Sequence, residues 1–150
     1  MFDVFIAEIN CPYCGGEDGT PVELSMQTHL LSDGTSLRVG YIFDPVDVEL
    51  SNIADSGYLL VASPVPPETI RLADTWYCPK CETRHWAVVK IVSLRIEQIA
   101  PVTMDRSTLS SVNFISEIPA EGLAMSLLGD AAPESSEQLD IVEVLRQRLV

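Results

Sequence analysis

The sequence predicts a mainly β fold, α+β overall: an antiparallel β domain stapled at one point, with a helical C-terminal extension. Three observations lead there. Two Cys-x-x-Cys pairs, Cys11-Pro12-Tyr13-Cys14 and Cys78-Pro79-Lys80-Cys81, hold all four cysteines of the chain. Between and around them, short runs rich in Val, Ile, Thr and aromatic residues are punctuated by Gly, Pro and Asp, the pattern of strands joined by turns. After Pro101 the β-formers thin out, and the last stretch repeats apolar residues at helical spacing.

Residues 2–9 predict a strand running into the first cysteine pair. Val22 to Leu31 predicts the next, broken by Ser32-Asp33-Gly34-Thr35, where Asp tolerates the left-handed region and Gly supplies positive φ. Leu37 to Phe43 resumes the strand, which predicts a hairpin. Asp44-Pro45 interrupts it, because Pro cannot donate a ladder hydrogen bond. Val46, Val48 and Leu50 then alternate with Asp47 and Glu49, as in a half-buried strand. Asp44 and Asp47 are a candidate carboxylate pair, to which nothing brings a third group. Tyr58 to Ala62 predicts a short strand, ended by the loop Ser63-Pro64-Val65-Pro66-Pro67. Ile70 to Tyr77 leads into the second cysteine pair; His85 to Val92 leads out and continues after Ser93 to Ile99. On that outgoing strand His85, Ala87, Val89 and Ile91 share one face, and Trp86, Val88, Lys90 and Val92 the other. Both faces are mostly apolar, which predicts a central strand.

Asp105 is placed to N-cap a helix from Arg106 to about Ser116, and Pro119 to start a second ending near Gly129. Gly129 to Glu134 reads as linker. Ser135-Ser136-Glu137-Gln138 fits a capping box, with the Ser135 oxygen on the Gln138 N–H. Gln138 to Leu149 predicts the best helix of the chain, with Ile141, Val142, Leu145 and Leu149 in one apolar stripe. The organisation is thus a β domain over 1–101, a short helical segment over 102–129, a linker over 130–136 and an amphipathic helix over 137–150. A helix this short is marginal alone, so its stripe must pack on the parent domain, a second copy or a different protein.

Two thiolates spaced two residues apart grip one metal ion from a tight turn, and two such turns complete the tetrahedral four-sulfur shell of a closed Zn²⁺ site. Cys11, Cys14, Cys78 and Cys81 are the candidate ligands. Pro after the first Cys presets φ, and Gly after the second accepts positive φ. A redox dithiol would need its first thiol at a helix N-terminus. Instead Cys14 runs into Gly15-Gly16-Glu17-Asp18-Gly19, and Cys81 into an outgoing strand. Disulfides are the minor alternative. Cys11 to Gly15 and Cys78 to Cys81 resemble the two knuckles of a zinc ribbon, and the chain is similar to small bacterial zinc-ribbon proteins of unassigned activity. The resemblance implies that each knuckle joins two antiparallel strands and that the four cysteines are structural. Two features depart from it: Glu82 stands where the second knuckle usually has Gly, and the 63-residue spacer, residues 15–77, makes this a long β insertion rather than a simple ribbon. Iron in a rubredoxin-like shell is the main rival to zinc.

The net charge is −13, distributed as −9 over residues 1–64, +1 over 65–100 and −5 over 101–150. Phosphate backbones repel such a chain, so duplex nucleic acid is not an expected partner. Trp76, Tyr77, Lys80, Arg84, Trp86 and Lys90 interleave bases and aromatics, as single-strand platforms do. The plainer reading puts both tryptophans in the core and the bases on a solvated edge. His29 and His85 are the only histidines; His85 lies close enough to Cys81 to replace a thiolate, although four cysteines already fill the shell. There is no Gly-rich phosphate loop, Gly-x-Ser-x-Gly elbow or His-Glu-x-x-His, and a four-cysteine shell lacks the open position of a catalytic zinc, so no enzyme is expected. The N-terminal residues lack a signal-peptide pattern, no apolar run approaches the roughly 20 residues of a membrane span, and reduced cysteines suit the cytoplasm, where the protein is expected. The function these features predict is a non-enzymatic protein-interaction or adaptor role with structural zinc. Its partner would be another protein or a second copy, docked through the Ile141, Val142, Leu145 and Leu149 stripe. The alternative is an acidic inhibitor or immunity-type protein that blocks a basic toxin or nucleic-acid enzyme.

Overall fold

The computed structural model describes residues 1–14, 20–134 and 139–150. Strand β1 (Asp3–Ile9) pairs antiparallel with β2 (Val22–Thr28), from Asp3 opposite Thr28 to Ile9 opposite Val22. In β2, Val22, Leu24, Met26 and Thr28 are buried while Glu23, Ser25 and Gln27 face outward, the period of two of a strand covered on one side. β3 (Ser36–Leu37) joins the other edge of β1, parallel to it. The expected hairpin between 22–31 and 37–43 therefore does not form.

Asp3 accounts for the difference. Its carboxylate is fully buried and accepts N–H groups from Leu31 and Ser32 on Oδ2 (2.8 and 2.9 Å) and from Asp33, Gly34 and Thr35 on Oδ1 (3.1, 3.1 and 3.3 Å). The loop wraps around this acid and returns the chain beside β1 instead of β2. Burial alone would raise the Asp3 pKa, but the converging backbone donors hold it at about 2. With a folded pKa below the ordinary 3.8, the ionised form is the stabilising one. Its contribution is complete above pH ~4 and is lost as pH falls through ~2; linkage puts it at about 2–3 kcal/mol. Asp3→Asn is therefore expected to cost about 2–3 kcal/mol at neutral pH, with the gap to the parent closing as pH approaches 2. Urea unfolding of both proteins across that range checks it. Equal stability at pH 7 would contradict the role.

The alternation at Val46–Leu50 does not make a strand either. Pro45–Val48 is a 3₁₀ turn leading into α1 (Leu50–Asp55). Pro45 sits at the start of the turn, where its fixed φ suits a helix, and the Asp44 N–H donates to the Asp47 carboxylate at 3.2 Å. The two acids open a helical turn.

The second sheet has the order β4-β8-β5-β6-β7, built from β4 (Tyr58–Leu60), β5 (Thr69–Cys78), β6 (Thr83–Val92), β7 (Arg95–Val102) and β8 (Phe114–Ser116). It is antiparallel except where β8 meets β5, so neither sheet is wholly antiparallel. β6 is central, as its two apolar faces predict. It turns into β7 through Ser93 and Leu94, both at positive φ (48° and 73°). Hydrogen bonds from the Phe43 N–H to the Leu94 carbonyl (2.8 Å) and from the Ser93 N–H to the Glu68 carbonyl (2.9 Å) hold that turn.

Helix α2 (Arg106–Ser111) starts where the sequence predicts, with the Asp105 carboxylate accepting the Thr108 N–H at 2.7 Å. It ends well short of Ser116, because β8 intervenes. Asn113 draws that strand into the sheet. Its N–H donates to the Arg71 carbonyl (2.9 Å), its Oδ1 accepts the Arg71 N–H (2.8 Å), and its Nδ2 donates to the Ala62 carbonyl (3.1 Å). Residues 102–129 thus contribute a strand as well as helix. α3 (Glu117–Leu128) ends at Gly129, whose φ of 56° suits glycine. α4 (Ile141–Arg148) is capped by Asp140, which accepts the Glu143 N–H at 3.2 Å. The capping box expected at Ser135–Gln138 lies outside the described residues, as does part of the 130–136 linker; the described part begins with a 3₁₀ turn, Gly129–Ala131.

The second sheet is covered on both faces. Ile70, Leu72, Trp76, Ala87, Val89 and Ile91 pack with Phe5, Leu24, Met26 and Leu37 of the first sheet. On the opposite face Ala73, Ile115, Trp86 and Val88 pack with Leu109, Ala120, Ala124, Ile141, Leu145 and Leu149 of the helical layer. The chain is thus α+β and mainly strand, as predicted, in three layers: small sheet, large sheet, helices. Within the C-terminal stripe, Ile141, Leu145 and Leu149 are buried in this chain's own core, and Val142 is partly covered.

Candidate metal centre

Each cysteine pair sits where a strand ends. β1 delivers the chain to Cys11, and Cys78 closes β5 opposite Thr83, the first residue of β6. The second pair therefore forms the tip of the longest hairpin in the chain. In that tip the Cys81 N–H donates to the Cys78 sulfur (3.4 Å) and the Glu82 N–H to the Cys78 carbonyl (2.8 Å). The two tips meet: Cys11 Sγ lies 3.5 Å from Cys81 Sγ, Cys14 Sγ lies 3.9 Å from Cys78 Sγ, and all four sulfurs lie within 4.8 Å of one another. A tetrahedral ion with metal–sulfur bonds of about 2.3 Å has sulfur–sulfur edges of about 3.8 Å, so the four atoms can hold one metal ion. All four cysteines are free; Cys11 and Cys78 are buried, and Cys14 and Cys81 are partly exposed.

The thiols of the cluster shift one another's titration in opposite directions. Burial raises the Cys11 pKa, but the Cys14 and Tyr13 N–H groups and the neighbouring thiols outweigh it and bring it to about 7. Cys81 moves the other way: hydrogen bonding with Cys14, burial and the charge on Cys11 push its thiol up. One thiolate forms readily and opposes the next. A positive ion at the centre reverses that opposition.

Glu82 has φ +56°, a left-handed backbone that a residue with a side chain resists. Glu82→Gly is expected to stabilise the protein by about 0.5–1 kcal/mol, the relief of strain exceeding the extra freedom glycine gains when unfolded. Thermal melts of the metal-loaded proteins test this; a lower melting temperature for the glycine variant would rule out strain at this position.

Aromatic rings flank the cluster. Tyr13 stacks on His85 with centroids 4.1 Å apart and planes 13° apart, and its hydroxyl donates to the Val102 carbonyl at 2.9 Å. Trp76 leans on the same imidazole at 5.5 Å, and Thr83 Oγ1 lies 3.1 Å from its Nε2. His85 therefore packs beside the four cysteines and does not join them. His29 stands edge-on to Phe2, with ring centroids 6.5 Å apart.

The basic and aromatic residues around the second pair do not form one surface. Trp76 is fully buried in one core, whereas Trp86 faces the helical layer. Lys90 pairs with Glu97 at 3.1 Å, and Lys80 Nζ donates to the Thr20 carbonyl at 3.0 Å. Tyr77 and Arg84 stand opposite one another across the β5–β6 ladder.

Sequence reasoning missed a buried acid on β5. Asp74 accepts the Thr75 N–H on Oδ1 (2.7 Å), and its Oδ2 lies 3.5 Å from the Tyr58 hydroxyl, which also donates to Thr28 Oγ1 (2.9 Å). Burial raises the Asp74 pKa to about 6, against the lowering effect of the Thr75 N–H and the Ser116 and Tyr58 hydroxyls. Asp74 borders an open groove of about 800 Å³ lined by residues of both sheets, among them Gln27, Tyr77 and Arg84. A single Asp in an apolar strand carries no local signal of such a cluster.

No protein-family model, curated protein or solved structure matches the chain. The likeness to zinc ribbons rests on the two cysteine pairs alone. Among the described residues, no helix is long and apolar enough to cross a membrane.

Proposed function

We propose that the chain is a non-enzymatic protein-interaction or adaptor module in which Cys11, Cys14, Cys78 and Cys81 hold one zinc ion as a structural staple. The observation that carries this reading is the convergence of the four sulfurs within 4.8 Å from the two ends of a long β insertion. Four thiolates fill a tetrahedral shell and leave no position for a substrate or water, so the ion acts on folding and not on chemistry. It closes a loop whose closure entropy would otherwise oppose folding. Iron in the same shell would colour the protein, which zinc does not. Reduced thiols suit a cytoplasmic setting.

The chain has a net charge of −13, which supports an interaction with a basic partner. The same charge supports the alternative, an acidic inhibitor of a basic toxin or nucleic-acid enzyme. Docking through the Ile141, Leu145 and Leu149 stripe requires α4 to leave the sheet. Elemental analysis of the reduced protein tests the staple: one equivalent of zinc is expected, and under half an equivalent of any transition metal would overturn it. Affinity purification of the full chain from its native host separates the two functions. A multi-protein assembly supports the adaptor, and a lone basic nuclease-like partner supports the inhibitor.

A further inference from the structure

We propose that the open edge of β4 takes up a short, extended, basic segment of a partner protein as an added strand, a proposal that rests on the protein-interaction reading. β4 is the terminal strand of the large sheet. The Gly57 carbonyl accepts the Glu117 N–H (2.9 Å) and the Val61 N–H donates to the Asn113 carbonyl (2.7 Å). Gly57, Leu59 and Val61 therefore direct their main chain at β8. Leu60, between Leu59 and Val61, directs its main chain at the open side, because paired and outward residues alternate along an antiparallel ladder, whereas Tyr58 is buried.

A groove of about 780 Å³ runs beside that edge, bounded by β4, by Glu117 and Glu121 of α3 and by the start of α4. Its two sides differ in chemistry. Leu59 turns toward the helical layer, on the side where Glu117 and Glu121 lie, whereas Leu60 shares the opposite face of the strand with Tyr58 and is 50% exposed. Glu117 and Glu121 stand one helical turn apart, and among the described residues neither has a cationic partner. Like charges at that spacing repel, and a cation between them relieves the repulsion. Arg146, the one base lining the groove, is already engaged by the Val61 carbonyl and by Glu143. An added strand with Lys or Arg on one face and apolar residues on the other matches both sides, and its main chain pairs with Leu60. A second copy does not match, because its own Glu117 and Glu121 would be brought against these.

The test uses the full-length, metal-loaded protein and fluorescein-labelled hexapeptides in anisotropy titrations. A peptide of alternating Lys and Val is expected to bind, more weakly at high salt, and to slow hydrogen exchange at the Leu60 amide. Its Glu–Val counterpart is expected not to bind. Methylating the peptide's backbone nitrogens should weaken binding about tenfold, the equivalent of one or two lost hydrogen bonds. Glu117→Gln with Glu121→Gln should weaken it several-fold without changing the melting temperature. Equal binding of the Glu–Val peptide, indifference to methylation or an unaffected double variant would each overturn the proposal. A homodimer in sedimentation that Leu60→Pro dissociates would overturn it in favour of self-pairing. If no peptide binds but the full chain still captures a protein from its host, the β4 proposal fails and the interaction reading stands. If neither occurs, both fail.

Discussion

Cys78→Ser is expected to yield a protein that binds no metal and shows no cooperative unfolding at 25 °C. Cys78 is fully buried at the end of β5, its sulfur accepts the Cys81 N–H, and it lies 3.9 Å from Cys14 across the cluster. Serine offers a hydroxyl that is a poor ligand in a sulfur shell. A structural zinc contributes on the order of 10 kcal/mol to folding, whereas a domain of this size is stable by only about 5–15 kcal/mol. Losing the ion therefore removes most of the margin. Circular dichroism during a urea titration, with zinc measured on the same sample, decides the matter. A metal-free variant that melts cooperatively near the parent's midpoint would show that the two sheets hold without the staple.

Deleting residues 134–150 is expected to lower the melting temperature steeply while leaving the four cysteines in place. The deletion removes Ile141, Leu145 and Leu149 and uncovers Leu109, Ala120 and Ala124. Each buried aliphatic side chain is worth about 1.5–3 kcal/mol, so the loss is about 5–9 kcal/mol before allowance for a partly compact unfolded state. Leu145→Ala, the milder version, should cost about 2–5 kcal/mol. Urea midpoints of the parent, the truncation and the point variant give the answer. If the truncated protein keeps its midpoint and its metal but loses a partner, α4 is a docking device and its packing on the sheet is incidental.

What the sequence made legible was chemistry that depends on residue type at fixed spacing. Two Cys-x-x-Cys pairs with no cysteine left over announced one cluster, and the four sulfurs do converge. The two apolar faces of β6 announced a central strand. Asp105 announced a cap. What stayed hidden depends on groups far away along the chain. Ser93-Leu94 has none of the Asn-Gly or Asp-Gly chemistry of a tight hairpin; its left-handed turn is imposed by bonds to Phe43 and Glu68. The loop at 31–35 looked like a hairpin turn until Asp3 gathered its N–H groups. Asn113 sits in a weakly helical stretch and is claimed for a strand by Arg71 and Ala62. The alternation at Val46–Leu50 is too short to separate a strand from a helical turn, and Pro45 decides for the turn. Trp76 and Trp86 read as one patch because their separation on opposite faces follows from the β5–β6 register.

That separation equips the molecule with two optical gauges. Trp76 is enclosed between the two sheets with its ring against His85, next to the cysteine tips, whereas Trp86 looks into the helical layer. With Trp86→Phe, the remaining emission follows the metal-side layer; with Trp76→Phe, it follows the helix-side layer. Coincident denaturation curves from the two single-tryptophan proteins would mean that one sheet transmits melting between its faces. Curves that part would show the helical layer peeling away from a sheet that still holds at the cysteine cluster.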